Sequence, residues 1–181
     1  MQIEEALQIA RDAGFEVVAP LDPQKFKFLT EVREMCAVNT CKQYGTKWSC
    51  PPACGTLEEC AEQLLRYSEG VLFQTICRMD DEFDFDVMSE TFQKMNASTA
   101  KLLDALIALG EDFRPFGNDG CHNCVECTYP DAPCRYPDRA FPSMEACGLM
   151  VADVCAQNNV PYYYGANTVA FTGGFLFNPK D

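Results

Sequence analysis

Apolar residues at Ile3, Ala6, Leu7 and Ala10 recur three or four positions apart, which predicts a helix over residues 2–13, with Gly14 as its stop. Phe15 to Ala19 reads as a short buried strand ending at Pro20. Over residues 26–33, Phe26, Phe28, Thr30 and Val32 alternate with Lys27, Glu31 and Arg33, the period of a second strand. Residues 36–55 keep neither period, contain two adjacent prolines and read as loop. Thr56 and Glu59 form a Thr-x-x-Glu capping box that opens a helix with Leu57, Cys60, Ala61, Leu64 and Leu65 on its apolar face. The run GVLFQTIC from Gly70 is the strongest strand in the chain. Phe92, Met95, Leu102, Leu103 and Leu106 mark a longer helix within residues 83–109. Residues 110–142, rich in Gly, Pro and Asp, read as a second long loop. Pro142-Ser143 then opens a helix bearing Met144, Cys147, Val151, Val154 and Cys155, and NTVAFTGGFLFN reads as two short strands around Gly173-Gly174. The sum is an α+β fold, a single domain over residues 1–181 with a mixed β-sheet, packed helices and two irregular loops.

Those loops hold most of the 12 cysteines, a high count for 181 residues. An even number invites a disulfide reading. The opening MQIEEALQIARDAGF, however, carries acidic residues at short intervals, unlike a signal or transit peptide, and no apolar run approaches a membrane span. The expected compartment is the cytoplasm, where thiols stay reduced and serve as metal ligands or catalysts. Charge narrows the function further. With 14 basic against 27 acidic residues, a net −13, the chain lacks the Lys/Arg stripe that a nucleic-acid binder needs, and adhesion to anionic membrane is disfavoured too. Protein partners with basic patches fit this charge.

Cys121-x2-Cys124-x2-Cys127-x6-Cys134 is the sharpest chemical signal. A winding loop brings every third side chain to one side, so three such thiolates can converge on one compact body, with Cys134 closing the cage. A [4Fe–4S] cube takes one cysteine sulfur per iron and needs that convergence. Zinc is the competitor, although four-cysteine zinc sites usually come as two Cys-x2-Cys pairs with a longer spacer between them. Dithiol exchange through Cys121 and Cys124 is a third reading, and leaves Cys127 and Cys134 without a role.

The other set, Cys36-x4-Cys41-x8-Cys50-x3-Cys54, matches no standard spacing. Cys50-Pro51-Pro52 stiffens its backbone, and Tyr44, Gly45 and Trp48 can wall a metal from water. Either it binds its own metal, or some of its members complete the site begun by Cys121. Cys60, Cys77, Cys147 and Cys155 fall at apolar positions and read as small core residues. The one histidine, His122, lies inside the cysteine triple, where it can hydrogen-bond a sulfur or face solvent. Tyr162, Tyr163 and Tyr164 are candidates for a pocket wall near the metal.

The stretch from Cys36 through Cys41-Lys42-Gln43-Tyr44-Gly45-Thr46-Lys47-Trp48-Ser49-Cys50-Pro51-Pro52 resembles the N-terminal motif of a family described only as predicted metal-binding proteins, a domain of unknown function common in anaerobic bacteria and archaea. Cys121, Cys124 and Cys127, followed by Cys134-Arg135-Tyr136-Pro137 and Pro142-Ser143-Met144-Glu145-Ala146, are similar to its second motif. The resemblance implies metal binding through these cysteines in an anaerobe's cytoplasm, and implies no reaction. The leading expectation is a redox or accessory protein with one or two [4Fe–4S] clusters that exchanges electrons with a protein partner. The alternatives are a zinc-stabilised interaction module and an iron–sulfur enzyme whose substrate sits beside the tyrosines and Glu145.

Overall fold

The computed structural model describes residues 1–117 and 119–180. Helix α1 (Ile3–Ala13) buries Ala6, Leu7, Ala10 and Ala13, and Gly14 ends it in the left-handed region (φ 104°) with its amide bonded to the Arg11 carbonyl. There follow β1 (Val17–Leu21), a 3₁₀ turn at Pro23–Lys25, α2 (Thr30–Val38), α3 (Leu57–Leu65), β2 (Glu69–Arg78), α4 (Phe85–Ala108) and β3 (Phe113–Phe116). A 3₁₀ turn at Glu145–Cys147, α5 (Val151–Gln157) and β4 (Thr168–Phe177) complete the described fold. The capping box at Thr56 and Glu59 forms in both directions.

The strands make one sheet in the order β1-β2-β4-β3. The class is α+β as the sequence reads, but the sheet is antiparallel and not mixed: β4, last in the chain, inserts between β2 and β3 and runs against both. β2 and β4 pair along their whole length, from Glu69 opposite Phe177 to Arg78 opposite Thr168. Leu72 and Leu176 enter a cluster with Leu64, Tyr67, Phe116, Met144 and Leu149 on one face. Val71, Phe73, Phe175 and Phe177 enter a second with Leu7, Met95, Leu102 and Leu106 on the other. Covered on both faces, β2 is apolar without alternation.

Four local expectations change. Residues 26–33 are not a strand. Phe26 and Phe28 drop into the core from irregular chain, Phe28 bridging Leu149, and helix α2 begins at Thr30. The expected hairpin at Gly173-Gly174 is instead the middle of β4. A Cβ on Gly173 would lie 2.7 Å from the Phe73 ring and one on Gly174 2.8 Å from the Phe116 ring, so these glycines admit aromatic rings and turn nothing. Residues 113–116, expected as loop, form edge strand β3. The single helix expected after Ser143 is broken at Gly148, whose φ of 77° separates the 3₁₀ turn from α5.

Candidate metal centre

Both cysteine loops are anchored to this frame at their ends. The first leaves α2 at Asn39 (φ 58°), whose side-chain oxygen accepts the Tyr44 amide at 3.0 Å. It folds back on itself where the Gly45 amide reaches the Pro51 carbonyl at 2.8 Å. The second loop leaves the end of β3 and is pinched shut at its base, Gly117 donating to Pro142 at 3.0 Å and Met144 donating to Gly117 at 2.9 Å.

The loops then lock together. Lys47 Nζ donates to the Cys121 carbonyl at 2.8 Å, and the Trp48 indole N–H donates to the Ala132 carbonyl at 3.1 Å. The Trp48 ring meets Tyr129 edge-on, centroids 4.9 Å apart. Buried Ser49 accepts the Cys121 amide through its hydroxyl at 3.0 Å. Trp48 thus covers the second loop's thiols, whereas the sequence placed it as a wall for its own.

Cys121, Cys124, Cys127 and Cys134 all line one enclosed cavity of about 20 Å³, together with Lys47, Trp48, Asn123 and Arg135. Burial pushes the Cys121 thiol up, and a hydrogen bond from the Asn123 backbone amide opposes this. The Asn123 side-chain amide adds a second donor, 3.1 Å from the Cys121 sulfur, while it also donates to the Arg139 carbonyl at 2.7 Å. Two N–H groups aimed at one sulfur suit a thiolate that carries charge. Among the described residues, no three His, Cys, Asp or Glu side chains stand together as a site for one ion. The donor set fits a thiolate-bound metal: four soft sulfurs from one loop, with cationic Lys47 and Arg135 on the cavity wall.

The first set divides. The Cys50 thiol, raised by burial and opposed by Ser49 and Lys47, senses the charges of Cys41 and Asp119. The Cys36 thiol is raised by burial, pulled back by Arg33, and senses Glu145 and Cys41. Cys41 is thus within electrostatic reach of both Cys36 and Cys50. The Gly120 backbone passes so near that a Cβ there would be 3.2 Å from the Cys50 sulfur and 3.0 Å from Gln43 Oε1, a buried oxygen with no hydrogen-bond donor. Burial raises the Glu145 carboxyl, and Asp119 adds to the effect.

Cys54 turns to different neighbours. Its sulfur approaches the Ala146 carbonyl at 3.9 Å, and the Cys60 sulfur approaches the Cys54 carbonyl at 3.6 Å. The neighbouring Cys147 and Cys54 thiols push Cys60 well below the usual thiol range, and Cys60 raises both of them. Arg33 completes the group. Its guanidinium lies 3.8 Å from the Cys60 sulfur and hydrogen-bonds the Ala146 and Gly55 carbonyls. Arg33 was missed because its segment read as a strand; on α2 it faces the 3₁₀ turn at Glu145–Cys147, and no sequence motif marked it. Lys47 and Ser49, by contrast, sit inside the motif before Cys50 and were legible as neighbours of a candidate ligand.

Cys60, Cys77, Cys147 and Cys155 are buried, as expected of core residues. Cys155 meets Gln74 Nε2 at 3.5 Å, and burial pushes its thiol up to about 11. His122 bonds neither a sulfur nor solvent alone. Its Nε2 lies 2.9 Å from Asp119 Oδ2 and its ring meets Phe92 edge-on. Burial raises the Asp119 carboxyl, but His122, the Gly120 amide and Lys47 together hold it below its ordinary value. Of the tyrosines, Tyr164 donates to buried Gln74 at 2.7 Å, while Tyr162 and Tyr163 are exposed.

No helix is long and apolar enough to cross a membrane, among the described residues. No curated protein and no solved structure matches this chain. A family model does match, over residues 19–177, which takes in all eight candidate ligands and both interlocked loops. The chain belongs to the predicted metal-binding protein family DUF2284.

Proposed function

We propose that Cys121, Cys124, Cys127 and Cys134 hold a [4Fe–4S] cluster and that the protein passes electrons between this cluster and a protein partner in the cytoplasm. The observation that carries the reading is that four thiols at cube-type spacing line one cavity. Such a cluster supplies one-electron chemistry. Ligation of every iron by cysteine leaves no open position, which favours electron transfer or structure over substrate chemistry. The chain's own residues do the tuning. Asn123 hydrogen-bonds the Cys121 sulfur, Trp48 and Tyr129 screen the loop, and Lys47 and Arg135 offset thiolate charge.

Cys36, Cys41 and Cys50 are the thiols of a second site, with Gln43, Asp119 and Glu145 as its oxygen-bearing neighbours. The iron–sulfur enzyme reading has its best place here, since three cysteines would leave one iron of a cube without a thiolate.

Zinc at the Cys121 loop is the second reading, and the size of the cavity favours it. About 20 Å³ accepts a single ion, whereas a four-iron body requires the loop to widen. Iron, sulfide and zinc content per chain on oxygen-free material decides between them. The cluster reading expects iron and sulfide in equal amounts, with visible absorption that bleaches on reduction. Colourless protein with stoichiometric zinc overturns it.

A further inference from the structure

Arg33, Cys54, Cys60 and Cys147 come from four separate stretches of chain and meet behind the first cysteine loop. Arg33 makes no ion pair with a carboxylate among the described residues; the Cys60 sulfur, 3.8 Å away, is the group with anionic capacity that it contacts. The Cys60 sulfur also lies 3.6 Å from the Cys54 carbonyl, and the Cys54 sulfur lies 3.9 Å from the carbonyl of Ala146, the neighbour of Cys147. Cys60 and Cys147 are buried, but Cys54 is only half-buried. It lines an open groove of about 420 Å³ with Trp48, Gln63, Arg114 and Cys134. A packing cysteine needs neither a guanidinium nor an opening to solvent.

The groove also offers a seat for an anion. Arg114 lines it, donates one N–H to Gln63 Oε1 at 2.8 Å, and has its Nε buried with no acceptor. A carboxylate-bearing thiol compound would set its carboxylate against the Arg114 guanidinium that lines the groove while presenting sulfur to Cys54.

We propose that Cys54 and Cys60 form a redox-active dithiol, backed by Cys147 and Arg33, that exchanges with small carboxylate-bearing disulfides entering along the groove. The Cys54 sulfur attacks one sulfur of the disulfide RSSR, forming a Cys54–SR bond and releasing RS⁻, which takes up a proton. The Cys60 sulfur then attacks Cys54, forming the Cys54–Cys60 bond and releasing the second RS⁻. The two protein thiols are oxidised by two electrons, and RSSR is reduced to two RSH. The assignment is independent of which metal the Cys121 loop holds. A pair of cation-facing thiols beside Arg33 is less suited to a metal of its own, because the guanidinium repels a cation.

The test treats metal-loaded, oxygen-free full-length protein with oxidised glutathione, blocks free thiols by alkylation, and maps the unreduced chain after cleavage at Glu58 and Glu59, which separates Cys54 from Cys60. The expected product is one bond joining these two cysteines, with loss of two free thiols per chain and two glutathione molecules released. In Cys60→Ser the reaction should stop with glutathione retained on Cys54. Wild-type protein in which Cys54 and Cys60 are both alkylated, or Cys54 is bonded to any other partner, overturns the proposal. If Cys60→Ser does not fold, the wild-type map decides alone. Metal content read on the same samples separates this outcome from failure of the cluster reading.

Discussion

The hydroxyl of Ser49, buried in the first cysteine loop, accepts the backbone amide of Cys121, the first cysteine of the second loop, at 3.0 Å. Residues more than seventy positions apart in the chain are thereby held one hydrogen bond from each other, and the proposed ligand thiols inherit their placement from a residue outside the ligand set. Ser49→Ala leaves the Cys121 amide without that acceptor. Stranding a buried donor costs about 1–3 kcal/mol. Chemical denaturation of the variant should show a loss in that range, and chelator should strip its metal faster than from wild type. An unchanged rate of metal loss would mean that the second loop holds its shape unaided.

Asn123 tests the electrostatics of the cavity. Its side-chain N–H lies 3.1 Å from the Cys121 sulfur, where, on the cluster proposal, it would stabilise the extra negative charge of the reduced state. Asn123→Ala should lower the reduction potential. A hydrogen bond of about 1 kcal/mol corresponds to roughly 40 mV for one electron. Electrochemical titration measures this, and a potential that rises or stays put would separate Asn123 from the redox centre.

The glycine pair in β4 makes a prediction about the frame. Gly174→Ala places a methyl 2.8 Å from the Phe116 ring and 2.9 Å from the Val71 carbonyl; Gly173→Ala places one 2.7 Å from the Phe73 ring. Overpacking of this kind costs about 1–3 kcal/mol. Gly174→Ala should fall at the upper end, because one of its two obstacles is backbone and cannot rotate away. Thermal unfolding of both variants checks the order.

Cys155 gives the protein a specific alkaline limb. Burial pushes its thiol from an ordinary 9.0 up to about 11 in the folded chain. Its contribution is fully present below pH 9.0. Between there and about 11 the unfolded chain releases a proton that the folded chain keeps, so stability falls as pH rises. Across that window the loss is on the order of 2–3 kcal/mol. Cys155→Ala should flatten the decline by about one proton in stability-versus-pH curves. An identical slope in the variant would assign the limb to the other buried thiols.

Periodicity and chemistry were legible wherever the cause is local. The helix ending at Gly14, the capping box at Thr56 and Glu59 and the fully buried β2 all follow from residues within a few positions of one another, and each survives in the structure. The sequence by itself also determined that two irregular stretches carry most of the candidate thiols, because those stretches support neither period; Cys36, expected in the first loop, lies instead on the last turn of α2. Tertiary structure decided the rest, since it depends on contacts between distant residues. A helix turned Arg33 toward Cys60, Phe73 and Phe116 demanded glycines where a hairpin was expected, and β4, last in the chain, took the place between β2 and β3. Cys54 was drawn to Cys60 and Cys147 for the same reason: spacing along a chain sets which sulfurs can meet, while packing sets which ones do.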